Sequence, residues 1–193
     1  MRLFSRLYER VMNWAGHRHA PYYLAGLAFA ESSFFPVPPD VMLAPMALGN
    51  PRRAWFFAAL TTVASGIGGI AGYFLGMFAF EFIQPVLHDY GYWDAFLRVK
   101  SWFGEWGFWA ILIAGFTPVP YKVFTIAAGV TSMALLPFVL GSLIGRGARF
   151  FLVAALMVWG GERMEATLRA YIDRVGWIAL IAVIIAWLTL RGG

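Results

Sequence analysis

The sequence predicts an all-α integral membrane protein, built as an inverted repeat. Of its 193 residues, 61% are hydrophobic and only 13% are charged, whereas soluble domains average about 45–50% apolar and about 25% charged residues. A Pro-Val-Pro turn occurs twice, at 36–38 and at 118–120. Apolar pieces too short to span a bilayer flank each turn, since a crossing needs about 20 residues. Matched proline-broken segments in two halves are typical of transporters.

The expected fold has two re-entrant half-helix hairpins, each followed by a transmembrane helix. Interfacial amphipathic helices and a C-terminal apolar helix complete it. We expect one membrane domain over residues 1–193, with a first repeat at about 1–80, a second at about 92–160, and C-terminal helices at 161–190. Residues 1–20 open with arginines at helical spacing opposite apolar positions, which indicates a helix on the membrane surface rather than a signal peptide.

The first hairpin is predicted from two apolar pieces, Pro21–Phe35 and Val41–Leu48, on either side of a proline turn. Proline has no backbone N–H and does not continue a helix. The prolines of this turn are Pro36, Pro38 and Pro39. Irregular backbone at membrane depth is tolerated only where it is buried in protein or lines a wet cavity.

A spanning helix is expected from Ala54 to Phe80, where glycines four residues apart favour close helix packing and would permit a homo-oligomer. Residues 81–105 mix charged and aromatic side chains, which predicts a second interfacial helix.

The second hairpin repeats the first, with short apolar pieces at Gly107–Phe116 and Val123–Val130 around Pro118 and Pro120. Residues 131–160 contain a second full span, and residues 175–190 form a final apolar segment of marginal length.

Charge placement predicts the topology. With a cytoplasmic N-terminus, the first hairpin opens inward and the second opens outward. Nine Lys/Arg then lie inside and three outside, as the positive-inside rule requires. The inner set is 2, 6, 10, 18, 52, 53, 163, 169 and 174; the outer set is 98, 100 and 191.

Five ionisable residues fall within apolar segments: Glu31, Asp40, Lys122, Arg146 and Arg149. Each costs about 2.5–3.5 kcal/mol at the bilayer centre, so each should face a partner or a water-filled cavity. One interpretation is that ion pairs lock the hairpins together. The other is a polar cavity in which Glu31 or Asp40 binds a proton and the three bases bind an anionic head group.

Other chemistry finds no support in the sequence. The chain has no cysteine, which excludes disulfides and thiol catalysis. No nucleophile elbow, phosphate-binding loop, dinucleotide fingerprint or zincin motif occurs. We therefore expect no enzyme activity, no cofactor, no metal and no nucleic-acid partner.

Three segments resemble the DedA family of bacterial inner-membrane proteins, in particular its YqaA-like branch. They are Glu31–Asp40, Phe116–Lys122 and Gly145–Phe150. The resemblance implies re-entrant hairpins and a role in membrane homeostasis that depends on the proton-motive force. It also implies movement of polyprenyl phosphate carriers or phospholipids between leaflets.

Residue by residue, the family's essential acids match Glu31 and Asp40. Lys122 stands where many members have arginine, and Gly115–Phe116 replaces another arginine that often precedes the second proline turn. Arg146 and Arg149 are candidates to supply that charge.

The sequence thus predicts a proton-linked transporter or flippase for an anionic lipid or polyprenyl phosphate, in the bacterial inner membrane with several crossings. Two alternatives stay open. One is a proton-coupled exporter of small solutes or cations, and the other is a non-transporting membrane scaffold.

Overall fold

The computed structural model describes residues 17–33, 37–117 and 120–161. This part of the chain is helical and contains no strand. Four predictions lie outside the described residues: the surface helix before residue 17, the turn prolines Pro36 and Pro118, and the C-terminal helices beyond residue 161.

Six α-helices and one 3-10 turn make up the described fold. In chain order they are α1 Ala20–Ser33, α2 Asp40–Gly49, the 3-10 turn Pro51–Arg53, α3 Ala54–Asp89, α4 Trp93–Phe116, α5 Tyr121–Val130 and α6 Leu135–Gly161.

Two helical segments are long and apolar enough to cross a membrane. They are Pro51–Asp89, of 39 residues, and Leu135–Gly161, of 27 residues, each with a mean hydropathy of 1.6. Both segments lie where the sequence predicts membrane-spanning helices. Many of their large apolar side chains are exposed in the monomer, including Val63 and Ile67 of α3 and Ile144 of α6.

The second short arm of each hairpin forms as predicted from the prolines. Helices α2 and α5 have ten residues each, and Pro39 and Pro120 stand directly before them. Proline suits this place because the first N–H groups of a helix have no intrahelical acceptor. That the two hairpins are re-entrant and enter from opposite faces stays a prediction.

The segment between the two repeats differs from the prediction. Residues 81–105 are not one interfacial helix: α3 continues through Pro85 to Asp89, and a turn at residues 90–92 precedes α4. Gly107–Phe116 is not a separate short helix either, because it is the second half of the 24-residue α4. No proline interrupts α4, and a glycine such as Gly104 costs only about 1 kcal/mol in a helix.

The first hairpin and α5 both pack on α3, at points where glycine lets two backbones touch. A Cβ on Gly68 would lie 2.2 Å from the carbonyl oxygen of Phe29, and one on Gly129 would lie 1.9 Å from that of Tyr73. Only a residue without a side chain permits such contact. The predicted glycine stripe is therefore used within the chain.

Two apolar cores result, one for each hairpin. The first joins α1 and α2 to the early part of α3 and the late part of α6, around Leu43, Phe57 and Phe150. The second joins α4 and α5 to the middle of α3 and the start of α6, around Tyr121 and Phe138. The polar cluster described next involves the first third of α3 and the middle of α6.

Candidate functional site

Each acid of the first hairpin forms an ion pair with an arginine of α6. Arg146 binds Glu31 in the last turn of α1, and Arg149 binds Asp40, the first residue of α2. The arginines share one helix face because they are three residues apart. The structure thus brings together four of the five charged residues singled out in the sequence.

Arg146 is almost completely enclosed, with 2% of its surface exposed. Its Nε donates to Ser65 Oγ of α3 over 2.6 Å. Its guanidinium carbon lies 4.9 Å from the centre of the Tyr121 ring and 4.8 Å from that of Phe150. These cation–π contacts partly compensate for the water that burial removes.

A closed ring of hydrogen bonds surrounds this pair. Ser65 Oγ and Ser32 Oγ are 2.7 Å apart, and Ser32 Oγ donates to Glu31 Oε2 over 3.3 Å. With Arg146 donating to both Ser65 and Glu31, the ring runs from the arginine through two hydroxyls to the carboxylate and back. Every polar group in it has a partner, as burial demands.

Arg149 joins the two hairpins in a similar way. Besides Asp40, it donates to the backbone oxygen of Thr117 over 2.7 Å. That oxygen is available because α4 ends at Phe116, so the next helical turn does not use it. Since Arg146 contacts both Glu31 and the Tyr121 ring, each arginine of α6 touches both hairpins.

Asp40 has a mixed environment. As the first residue of α2 it lies at the positive end of the helix dipole. Its Oδ2 binds Arg149, but its buried Oδ1 has no hydrogen-bond partner among the described residues.

Lys122 is the fifth charged residue, and the described residues give its ammonium no ion pair, because both acids are already bound to arginines. The side chain is half-buried in the first turn of α5. The amide groups of that turn add partial positive charge beside the ammonium.

The sequence did not single out Ser32, Ser65, Tyr121 or Ser142 as site residues. For two of these residues, Ser65 and Ser142, the sequence does contain a pattern that could have identified them. Ser65 is a polar residue within an apolar span, and Ser142 lies one helical turn before Arg146, on the same face. Tyr121 directly follows the second proline turn and gave no such signal.

Two helices long and apolar enough to cross a membrane, with an ionic cluster between them, indicate an integral membrane protein. A family model described as the VTT domain matches residues 37–158. The chain belongs to this family, which is the DedA family that the sequence resembles.

Similar proteins match the chain along its whole length or in part. An uncharacterised protein of Haemophilus influenzae is 44% identical over 191 residues, covering 99% of this chain and 100% of the relative. A homologous protein of Histophilus somni is 47% identical with the same coverage. Undecaprenyl phosphate transporter A of Staphylococcus aureus is 33% identical over 92 residues, 45% of each chain. No solved structure matches.

Proposed function

We propose that this protein moves an anionic lipid, of the polyprenyl phosphate type, across the bacterial inner membrane in a proton-linked step. Its N-terminus lies in the cytoplasm. The observation that carries this proposal is the double role of the α6 arginines. Arg146 and Arg149 neutralise the two acids of the first hairpin and also contact the second hairpin.

Protonation provides the link between proton and lipid. A proton on Glu31 or Asp40 removes the negative charge that holds an arginine. The released guanidinium can then bind a phosphate group through two parallel hydrogen bonds. Proton and lipid phosphate therefore favour the same state, in which the ion pair is broken. When the proton leaves, the carboxylate competes with the phosphate and expels it.

The charge balance favours an anionic substrate over a cation. The three bases and two acids of these segments sum to one net positive charge, because Lys122 at the start of α5 has no ion pair among the described residues. A cation would be repelled at this place, which argues against the cation exporter. The Staphylococcus aureus relative is named for transport of undecaprenyl phosphate, a substrate of the proposed class.

The experiment measures movement of a fluorescent polyprenyl phosphate between leaflets of proteoliposomes, with and without a pH gradient. We expect wild type to move the lipid faster with a gradient and Glu31→Gln to move little. Glutamine keeps an oxygen acceptor for Arg146, so the variant should remain folded. Glu105→Gln, at an exposed position of α4, is the matched control and should behave as wild type.

Contrary results separate the alternatives. If wild type moves no lipid above empty liposomes, the lipid proposal is wrong, and water-soluble substrates are tested next. If Glu31→Gln lowers only the melting temperature while lipid movement persists, Glu31 has a purely structural role and is not the proton-binding site.

A further inference from the structure

Helix α4 carries an apolar stripe that the rest of the described chain leaves half-exposed. Six side chains make up this α4 stripe, alternately three and four residues apart, and each is between 46% and 56% exposed. That spacing places them on one face of the helix. They are Val99, Trp102, Trp106, Trp109, Ile113 and Phe116. Phe103 and Ile111, on other faces of α4, are buried in the second core.

The tryptophans of the α4 stripe are placed differently from those of the long helices. Trp55 is the second residue of α3 and Trp159 is the third from the end of α6, and their ring centres are 6.3 Å apart. A pair at the helix ends is typical of an aromatic belt at one membrane interface. In α4, Trp102, Trp106 and Trp109 occupy successive turns within the helix and rise by about 10 Å along its axis. A belt at a single depth does not require such a column.

The α4 stripe leads to the ionic cluster. Its last residue, Phe116, directly precedes Thr117, whose backbone oxygen accepts a hydrogen bond from Arg149 over 2.7 Å. Arg149 is also the more accessible of the two arginines, since 20% of its side chain is exposed against 3% for Arg146. A lipid phosphate that reaches the cluster therefore meets Arg149 first, with the end of the α4 stripe beside it.

The length of the α4 stripe suits a lipid chain within one leaflet. Arg149 lies in the middle of the 27-residue α6. From Phe116, next to this arginine, back to Trp106 the α4 stripe measures about 15 Å, at about 1.5 Å per residue. This is half of the hydrocarbon thickness of about 30 Å. A tail attached to a phosphate at Arg149 can thus follow the α4 stripe from the centre of the bilayer to its interface.

We propose that the α4 stripe binds the unsaturated isoprenoid tail of a lipid whose phosphate binds Arg149. The inference rests on the proposed function in requiring a polyprenyl phosphate as the ligand, and it adds the place of the tail and the arginine that receives the phosphate. Indole rings offer large, flat apolar faces to a methyl-branched chain. Ligand sites combine such aromatic linings with a few polar groups that fix orientation, and Arg149 is the polar group here.

The first test maps the tail on the purified full-length protein. A polyprenyl phosphate with a photoreactive diazirine in its tail is irradiated with the protein in detergent, and mass spectrometry identifies the labelled residues. We expect labelling of Trp106, Trp109 and Ile113 that an excess of unlabelled polyprenyl phosphate suppresses. Val63 and Ile67 of α3, each 55% exposed, are the matched control positions. Any labelling there should not respond to the competitor.

The second test changes the lining without changing its apolar character. In the double variant Trp106→Leu/Trp109→Leu both substitutions are at exposed positions, so the fold should be retained. We expect the Kd for polyprenyl phosphate to rise roughly tenfold, because two aromatic contacts are lost. The matched control is Phe78→Leu/Phe82→Leu, which removes two exposed aromatic rings from α3 and should leave the Kd unchanged.

The outcomes separate the tail site from bulk lipid and from transport. Absence of competed labelling on α4, or equal labelling of α3 and α4 that the competitor does not reduce, would mean contact with bulk lipid only and would overturn the proposal. An unchanged Kd in the tryptophan variant, or an equal rise in the α3 control, would overturn it as well. Competed labelling without lipid movement in proteoliposomes would refute transport alone, whereas lipid movement without competed labelling would refute the tail site alone.

Discussion

At the scale of single residues, Arg146 is the most constrained side chain of the cluster. It combines an ion pair with Glu31, a hydrogen bond to Ser65 and two aromatic faces at 2% exposure. A buried charge is tolerated only with such compensation. Arg149, with 20% of its side chain exposed, is less enclosed.

Removing one partner of the Arg146–Glu31 pair should cost more than removing both. Arg146→Met leaves the Glu31 carboxylate uncompensated, and we expect a loss of about 3–5 kcal/mol in stability. In the double variant Glu31→Gln/Arg146→Met no charge is stranded, so most of that loss should be recovered. Thermal unfolding in detergent measures both. A double variant no more stable than the single one would contradict the assigned pairing.

The charged members of the site could be predicted from the sequence because charge in an apolar segment is conspicuous. Glu31, Asp40, Lys122, Arg146 and Arg149 were all recognised this way. Which acid meets which arginine could not be predicted, since both pairs join residues more than a hundred positions apart. Tyr121 was missed because a tyrosine after a proline turn is equally typical of packing.

At the scale of elements, two glycines at helix contacts, Gly69 of α3 and Gly129 of α5, should respond in opposite ways to substitution by alanine. Gly69→Ala adds a methyl at ordinary contact distances and should stabilise α3 by up to about 1 kcal/mol through helix propensity. Gly129→Ala places its methyl 1.9 Å from the Tyr73 carbonyl oxygen, so α5 must move away, at a cost of about 1–3 kcal/mol or more. Melting temperatures in detergent compare the two. Equal effects would mean that α5 does not lie this close to α3.

The helices were predicted well from the sequence where a proline turn marks a helix boundary. It predicted α2 and α5 from the two turns and the spans of α3 and α6 from their length and apolarity. It failed between residues 81 and 105, where charged and aromatic side chains indicated one interfacial helix. The composition of this segment indicates that its side chains are exposed, but it does not reveal where α3 ends and α4 begins.

At the scale of the whole molecule, the two α6 arginines connect hairpins that we expect to open to opposite faces of the membrane. If both pairs break together, the first hairpin loses its ionic contacts to α6, while its contacts with α3 through Gly68 remain. Movement of one repeat against the other around a central site is the usual basis of alternating access in transporters with inverted repeats.

The opposite orientation of the hairpins can be tested directly because the chain has no cysteine, so every introduced thiol reports alone. The variants are Arg53→Cys after the first hairpin, Arg98→Cys in α4 and Ala134→Cys after the second hairpin, all at exposed positions. In intact cells we expect a membrane-impermeant thiol reagent to label Arg98→Cys and Ala134→Cys, and to label Arg53→Cys only after permeabilisation. The unmodified chain is the control.

Labelling of positions 53 and 98 from the same side would contradict a crossing by α3. Labelling of 98 and 134 from opposite sides would mean that α4 and α5 together cross the membrane, and the second hairpin would then not be re-entrant.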